Sequence, residues 1–464
     1  MTMFFEALQQ YRDNVALVDV AVGPNEQLTF IKTSYSELQI QIDTKQRGLR
    51  EHFASEAGNK QRFLVLLQMH MTTSSVIDYL ALLQSGIIAI LIDPDINQER
   101  LEQLSEAFQP NGVMSLGNLD VLHTTPKDID PNLAIMLPTS GSTGAAKYVC
   151  LSIENLASNS ASICDYLPIT ADDRAIASLP LFYSYGLSIL NTHLNRGASL
   201  YLHPYSIVNK AFWQIVEQAG ITSFAGVPSH YEMLNRLRFR AKHYPSLRYL
   251  TQAGGKLDVS LVTAFAEYAN SHNILFFVMY GQTEATARIT FLAPRKVLAK
   301  PSSIGQPIKG GEIRLVDGEI HYRGPNVMLG YASRISEMNN FQQAEWLETG
   351  DLAEQDSDGD LFIKGRLKRF TKLQGNRIDL DQLERLLRTQ SVESYCVGDD
   401  QKLTVATANR PDELADDAQL KSWLHKKVGL HPAFIKIVNL DALPLTPNGK
   451  KDYPAIATIA QREL

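Results

Sequence analysis

The chain has three cysteines in 464 residues, Cys150, Cys164 and Cys396. That is too few for a disulfide framework, and so sparse a use leads us to expect a reducing, cytoplasmic setting. No export signal is expected, because MTMFFEALQQ has no basic stretch ahead of an apolar run and carries Glu6 where a signal peptide is apolar. Long apolar runs are missing as well. The most apolar region, VIDYLALLQSGIIAILIDP, is broken by Asp78 and Gln84, short of the roughly 20 apolar residues that a spanning helix needs. It reads as a buried helix followed by a strand, with no membrane span. Lys/Arg blocks are absent, and 44 basic against 50 acidic residues give a net charge of −6, which disfavours nucleic acid as a partner. Repeats and low-complexity tracts are absent too. With 44% hydrophobic and 20% charged residues, the composition excludes collagen, a coiled coil or a disordered acidic tail. What remains is a globular chain long enough for two or more domains, since single cores stop growing at roughly 250–300 residues.

Short β-rich runs, FLVLLQ (63–68), IIAILID (87–93), LAIML (133–137), ITSFAGV (221–227) and ILFFVM (274–279), alternate with stretches of helical period. This predicts α/β layers with largely parallel sheets. From about Gly311 the texture becomes β-rich. GEIRLVDGEIHYRG places two alternating runs around Asp317-Gly318, a hairpin signal, and DLAEQDSDGDLFIKGR repeats the pattern around Asp358-Gly359. Beyond Arg366 comes a charged stretch, LKRFTKLQGNR, then helix, strand and helix. Residues 367–464 hold 15 basic and 13 acidic residues, a net of +2 that leaves −8 on the remainder. The expected fold is therefore a large α/β region with a β-rich subdomain (1–366), followed by a small α+β domain (367–464) of ordinary size.

Chemistry is suggested by five segments. After the strand at 133–137 comes a loop of Thr139, Ser140, Gly141, Ser142, Thr143 and Gly144, then Lys147. Glycines let successive N–H groups turn toward one point, hydroxyls add donors and the lysine adds charge, which suits a polyphosphate. A flexible linker has the same composition. It is not a Walker-type loop: counting from Gly141, Ala146 and Tyr148 stand where that motif needs Gly and Ser/Thr. In MYGQTEATAR, Tyr280 offers a flat face for a base, Thr283 a hydroxyl and Glu284 a hard oxygen ligand of the kind Mg²⁺ accepts. Thr283 and Glu284 equally suit a helix start. Asp351 of TGDL can accept bonds from a ribose diol or simply serve a turn. GRLKRFTKLQGNRIDLDQLE has the look of a hinge entering a helix, and LPLTPNGKKDY puts Lys450 on a Pro/Gly-rich turn.

In order and approximate spacing the five segments resemble the adenylate-forming superfamily of acyl-CoA synthetases, aryl-acid ligases and adenylation domains, over nearly the whole chain. The resemblance implies a large N-terminal domain that binds ATP, with Mg²⁺, and the acid, and a mobile C-terminal lid. It implies that Ser140–Gly144 and Lys147 hold pyrophosphate, that Thr283 contacts phosphate, and that Glu284 ligates magnesium. Gly254 and Gly255 would wall the adenine and acyl sites with Tyr280 stacked on the base, and Asp351 with Arg366 would bind ribose. Lys368 would lie at the hinge, Gly375 where the thiol approaches, and Lys450 would be the catalytic lysine of adenylation. Pocket walls would come from Tyr183, Ser184, Gly186, His230 and Met279.

The implied reaction is ATP-dependent ligation of a small carboxylic acid. It proceeds through an acyl-adenylate, with release of pyrophosphate, to a thioester on CoA or on the phosphopantetheine of an acyl or peptidyl carrier protein. Several positions depart from the family pattern. Ala146 and Tyr148 flank Lys147 where Pro and Gly are usual, NGKKDY lacks the usual terminal Arg, and the chain is short. Tyr183 stands where amino-acid-activating domains carry an Asp for the substrate ammonium, so an acyl or aryl acid is expected over an amino acid. An amino-acid adenylation enzyme loading a carrier protein, and a degenerate nucleotide-binding module, are the alternatives. For Arg288, a surface helix charge is expected over a partner for a second carboxylate.

Overall fold

The computed structural model describes residues 5–23, 25, 27–53, 61–138, 147–367, 369–373, 376–398, 401–447 and 449–462. The chain divides into two compact units. One takes the chain to Ile313 together with Tyr322–Leu347, the other Arg314–His321 together with Glu348 onward.

The first unit is an α/β body with two large sheets. One sheet has nine strands, in the order Gln306–Pro307, Thr290–Leu292, Leu275–Tyr280, Tyr249–Gln252, Ser223–Gly226, Arg174–Ile176, Ser199–Leu202, Val15–Val22, Leu28–Ser34. Its centre is parallel, and antiparallel strands close both ends. The second sheet has seven strands around the parallel set Leu133–Pro138, Ile88–Ile92, Leu64–Gln68 and Gly112–Ser115. Strand Ile88–Ile92 is buried at every residue, as a strand covered on both faces must be. The apolar helix ahead of it, Thr73–Gln84, is capped by the Thr72 side chain and buries ten of its twelve residues. One hydrophobic cluster joins Leu17 and Leu200 of the first sheet to Val65 and Ile135 of the second, through Leu38, Leu80 and Leu190 of three helices. Among the described residues no helix is long and apolar enough to cross a membrane.

The second unit carries most of a four-stranded sheet, Glu312–Val316, Glu319–Arg323, Leu347–Gln355 and Leu361–Arg366. Asp317 and Gly318 both have positive φ, 51° and 82°, which the two-residue turn of a tight hairpin requires. The rest is an α+β assembly: a hairpin (Phe370–Leu373, Asn376–Asp379), three helices (Leu380–Arg388, Asp417–Val428, Tyr453–Arg462) and a three-stranded sheet of Ser394–Gly398, Leu403–Thr407 and Ile435–Asn439. Its core is formed by Leu383, Leu387, Cys396, Val405, Leu420 and Leu424. All three cysteines are buried and free.

Candidate functional site

Four adjacent parallel strands of the nine-stranded sheet release their chains at one edge, the carboxyl end, where open α/β sheets place ligands. After Arg174–Ile176 the chain reaches Tyr183 and Ser184 at the head of helix Ser184–Asn195. After Ser223–Gly226 it enters helix Pro228–Arg236, which carries His230. Tyr249–Gln252 leads to Gly254 and Gly255, and Leu275–Tyr280 ends in Met279 and Tyr280 before the 3₁₀ turn Thr283–Ala285. Sheet order therefore gathers residues separated by a hundred positions. Ser184 and Thr283 share a hydrogen bond at 3.2 Å.

Two glycines are demanded by close approach. Gly254 has φ +84°, and a Cβ there would come 2.8 Å from the Tyr183 hydroxyl and 2.9 Å from Val227 Cγ1. A Cβ on Gly186 would lie 2.1 Å from the Pro180 carbonyl. Tyr183 is 6% exposed. His230 Nδ1 and Gln282 Nε2 are buried without a hydrogen-bond partner among the described residues. Burial pushes the His230 pKa down to about 4, so the ring is neutral near pH 7. Met279 Sδ accepts from the Tyr166 hydroxyl at 3.0 Å and from Arg288 Nε at 3.3 Å.

The loop from Gly281 to Arg288 is closed at its base by the Ile289 N–H bonding the Tyr280 carbonyl. Its conformation is clamped from outside. Asn326 Nδ2 donates to the Ala285 and Arg288 carbonyls, both at 2.8 Å, and the Thr286 hydroxyl donates to the Asn326 carbonyl at 2.7 Å. The Tyr322 hydroxyl donates to Asn326 Oδ1 at 2.7 Å, and Asn155 holds the Pro325 and Val327 carbonyls. Thr286 sits at φ +62°, a strained value for a β-branched residue that such a clamp can maintain.

Glu284 is half-buried at the tip of this loop. Its Oε1 accepts from the Tyr331 hydroxyl at 2.8 Å, and Lys147 Nζ lies 5.8 Å from the centroid of the Tyr331 ring. Burial, then the Glu284 charge, raises the Tyr331 pKa, so the phenol stays a donor. Tyr331 reaches this position because Gly330–Ala332 runs antiparallel to Tyr148–Ser152, pairing Tyr331 with Val149. It thus links the predicted phosphate lysine to the predicted metal carboxylate. Glu284 has no ion pair with a described residue, and a carboxylate with an oxygen to spare fits a hard divalent cation.

In the second unit Asp351 and Arg366 stand directly opposite on antiparallel strands, and Arg366 Nε donates to Asp351 Oδ1 at 2.8 Å. Asp351 is buried and the Arg366 side chain is 60% exposed. Lys450 lies at the end of a tight turn: the Thr446 N–H donates to the Lys450 carbonyl at 2.8 Å, and the Lys450 N–H to Thr446 Oγ1 at 3.1 Å. Its neighbour Lys451 donates to Glu384 Oε2 at 2.6 Å, and Glu384 Oε1 accepts from Arg369 at 2.7 Å. Buried Glu384 thereby ties the lysine turn to the stretch just after Arg366. Thr139, Ser140, Gly141, Ser142, Thr143, Gly144, Lys368 and Gly375 lie outside the described residues.

Sequence reasoning missed Tyr331, Asn326 and Glu384. A tyrosine after glycine in MLGYAS, or an asparagine in GPNV, carries no local signal that separates it from a surface residue. Arg288 is corrected: it is 3% exposed beside the Thr290–Leu292 strand, not a surface helix charge, because the returning loop folds it under Tyr185.

Residues 109–332 match the family model described as AMP-binding enzyme. The chain is 29% identical over 360 residues to a feruloyl-CoA synthase of an Amycolatopsis species, covering 72% of each protein. It is 30% identical over 302 residues to a 2-succinylbenzoate–CoA ligase of Bacillus pumilus, covering 63% of this chain and 59% of that one. Among solved structures, the o-succinylbenzoate CoA synthetase of Bacillus subtilis, in complex with its acyl-adenylate intermediate, superposes with a TM-score of 0.75 at 22% identity over 98% of both chains.

Proposed function

We propose that the chain, whose residues 109–332 match the AMP-binding enzyme family and which is similar to CoA ligases, is an ATP-dependent acid–thiol ligase of the adenylate-forming kind. It joins an acyl or aryl carboxylate to AMP with loss of pyrophosphate, then passes the acyl group to a thiol with release of AMP. The observation that carries this reading is the Lys147–Tyr331–Glu284 contact beside the Ser184–Thr283 bond. It brings a cation, a carboxylate and a hydroxyl pair near the sheet edge that would receive the acid.

Adenylation brings a carboxylate against the α-phosphate of ATP, so like charges must meet. Lys147, together with the loop Thr139–Gly144, would draw charge toward the pyrophosphate leaving group. Thr283 would orient a phosphate oxygen, its hydroxyl held by Ser184. Lys450 would offset the repulsion between the two anions as the bond forms. Mg²⁺ held by Glu284 would supply electrostatic neutralisation of the triphosphate, and the Tyr331 hydroxyl would fix that carboxylate. Asp351 and Arg366 would take the ribose, Gly254, Gly255 and Tyr280 the adenine, and Tyr183, Ser184, Gly186, His230 and Met279 the acid.

We place the lid at residues 367–464, hinged at Lys368. An acyl-adenylate is a mixed anhydride that water destroys, and a lid both excludes water and brings Gly375 to the thiol. CoA is the acceptor named in the relatives. Carrier-bound phosphopantetheine presents the same thiol arm, and the net +2 on residues 367–464 complements either anionic partner. Buried Tyr183 provides no charge for an ammonium, which favours acids over amino acids.

The test is carboxylate-dependent ATP–pyrophosphate exchange. It is expected with a simple acid and to fall about a hundredfold or more in Lys450→Ala. Exchange driven by an amino acid but not its deaminated analogue selects the amino-acid reading. ATP binding without exchange for any acid selects a degenerate module.

A further inference from the structure

Arg288 is buried to 3% exposure in the first unit, against Met279 near the carboxyl end of strand Leu275–Tyr280. Among the described residues its guanidinium meets only neutral groups, the Tyr166 phenol that it hydrogen-bonds included. Nε touches Met279 Sδ at 3.3 Å, Nη1 donates to the Ala287 carbonyl at 3.2 Å, and Cζ lies 4.1 Å from the centroid of the Tyr185 ring. No carboxylate among the described residues pairs with it. The phenols around it do not replace one: burial pushes Tyr166 up to about 12 and raises Tyr185 further still, so both are neutral. Guanidinium stays charged in proteins, and a buried cation without a counter-ion is costly.

This cation opens onto space. Arg288, Tyr185, Ser188, Thr192, Tyr249 and Thr251 line a cavity of about 20 Å³, measured as the room open to a water's centre. That is enough for one or two water-sized groups, the size of a carboxylate end. Met279, one of the residues proposed above for the acid pocket, touches the guanidinium directly.

From this geometry we propose that Arg288 is the specificity residue for a second carboxylate, at the end of the substrate remote from the reacting one. The inference rests on the acid-ligase reading. The counter-ion that the described residues do not provide is then supplied by the substrate, and an uncharged acid leaves the cation without it.

The experiment uses the full chain and its Arg288→Gln and Arg288→Lys variants. The acids are aliphatic α,ω-diacids of increasing length and aromatic diacids, each paired with its monomethyl ester. In wild type the fitting diacid is expected to exceed its half-ester by at least about thirtyfold in kcat/KM for exchange, as breaking a buried charge pair predicts. Arg288→Gln brings that ratio to about one, and Arg288→Lys lies between. Equal use of diacids and half-esters by wild type overturns the proposal, as does an Arg288→Gln variant that lowers both in proportion. If no acid supports exchange, the ligase reading fails and the subsite is judged by binding. Stabilisation of wild type by a diacid and not its half-ester, lost in Arg288→Gln, upholds it; no such stabilisation overturns it.

Discussion

Replacing Gly281 by alanine tests whether the loop that carries Thr283 and Glu284 is set by backbone crowding. An ideal Cβ at Gly281 would sit 2.1 Å from the Ala287 carbonyl oxygen and 2.8 Å from both the Ala287 carbonyl carbon and Arg288 Cα. All three are main-chain atoms, so no side-chain rotation relieves the overlap. An ordinary contact needs about 1 Å more, and separating the two backbone segments by that amount strains a packed site at about 1–3 kcal/mol. The same displacement pulls the Ala285 and Arg288 carbonyls from Asn326, whose two 2.8 Å bonds contribute about 1 kcal/mol each. We therefore expect a loss of about 3–5 kcal/mol of local stability. A shift of about 1 Å at Thr283 and Glu284 costs on the order of 10²-fold in rate. The assay pairs amide hydrogen exchange of residues 282–289 with ATP–pyrophosphate exchange. Unchanged protection together with full activity would refute the steric argument. Lost protection with full activity would refute the placement of Thr283 and Glu284 in the site.

Tyr331→Phe keeps the ring under Lys147 and removes only the donor to Glu284; magnesium dependence of ATP–pyrophosphate exchange is expected to shift 10- to 100-fold, whereas identical magnesium titrations would remove Tyr331 from the site. Gly48 lies inside helix Tyr35–His52 with nothing within 4 Å of an added Cβ, so Gly48→Ala should stabilise by about 0.5–1 kcal/mol, seen as a higher urea midpoint. His203 is 3% exposed with Nε2 unpartnered among the described residues, and burial lowers its pKa to about 4. The unfolded chain, titrating near 6.5, binds this proton first, so stability is complete above about pH 6.5 and is lost as pH falls toward 4, by about 3 kcal/mol. His203→Gln should flatten that stretch of the urea-midpoint profile, and an unaltered pH slope would count against it.

The strands named from sequence recur within a residue or two, such as Leu64–Gln68 for 63–68 and Leu275–Tyr280 for 274–279. Runs of apolar residues buried on both faces are a local property, and so is the Asp317-Gly318 hairpin, whose two positive φ values follow from residue type. The helix Lys210–Gln218 likewise ends before Gly220, which takes φ +58°. The position of Tyr280, Thr283 and Glu284 follows from the same local property, since they stand at and just past the end of a strand read from its apolar run.

Composition and local pattern by themselves determined the α/β layering, the β-rich turn near Gly311 and the ordered segments that resemble adenylate-forming enzymes. They could not determine neighbours across the sheets. Tyr331 meets Glu284 across 47 residues of chain, and Ser184 meets Thr283 across 99. Those meetings depend on strand order and register, which set contacts between segments that share no local signal. Burial of a charge is decided the same way. Arg288 reads as an exposed charge in its own segment, and only the loop's return beneath Tyr185 takes it out of water, with no carboxylate among the described residues to pair with it.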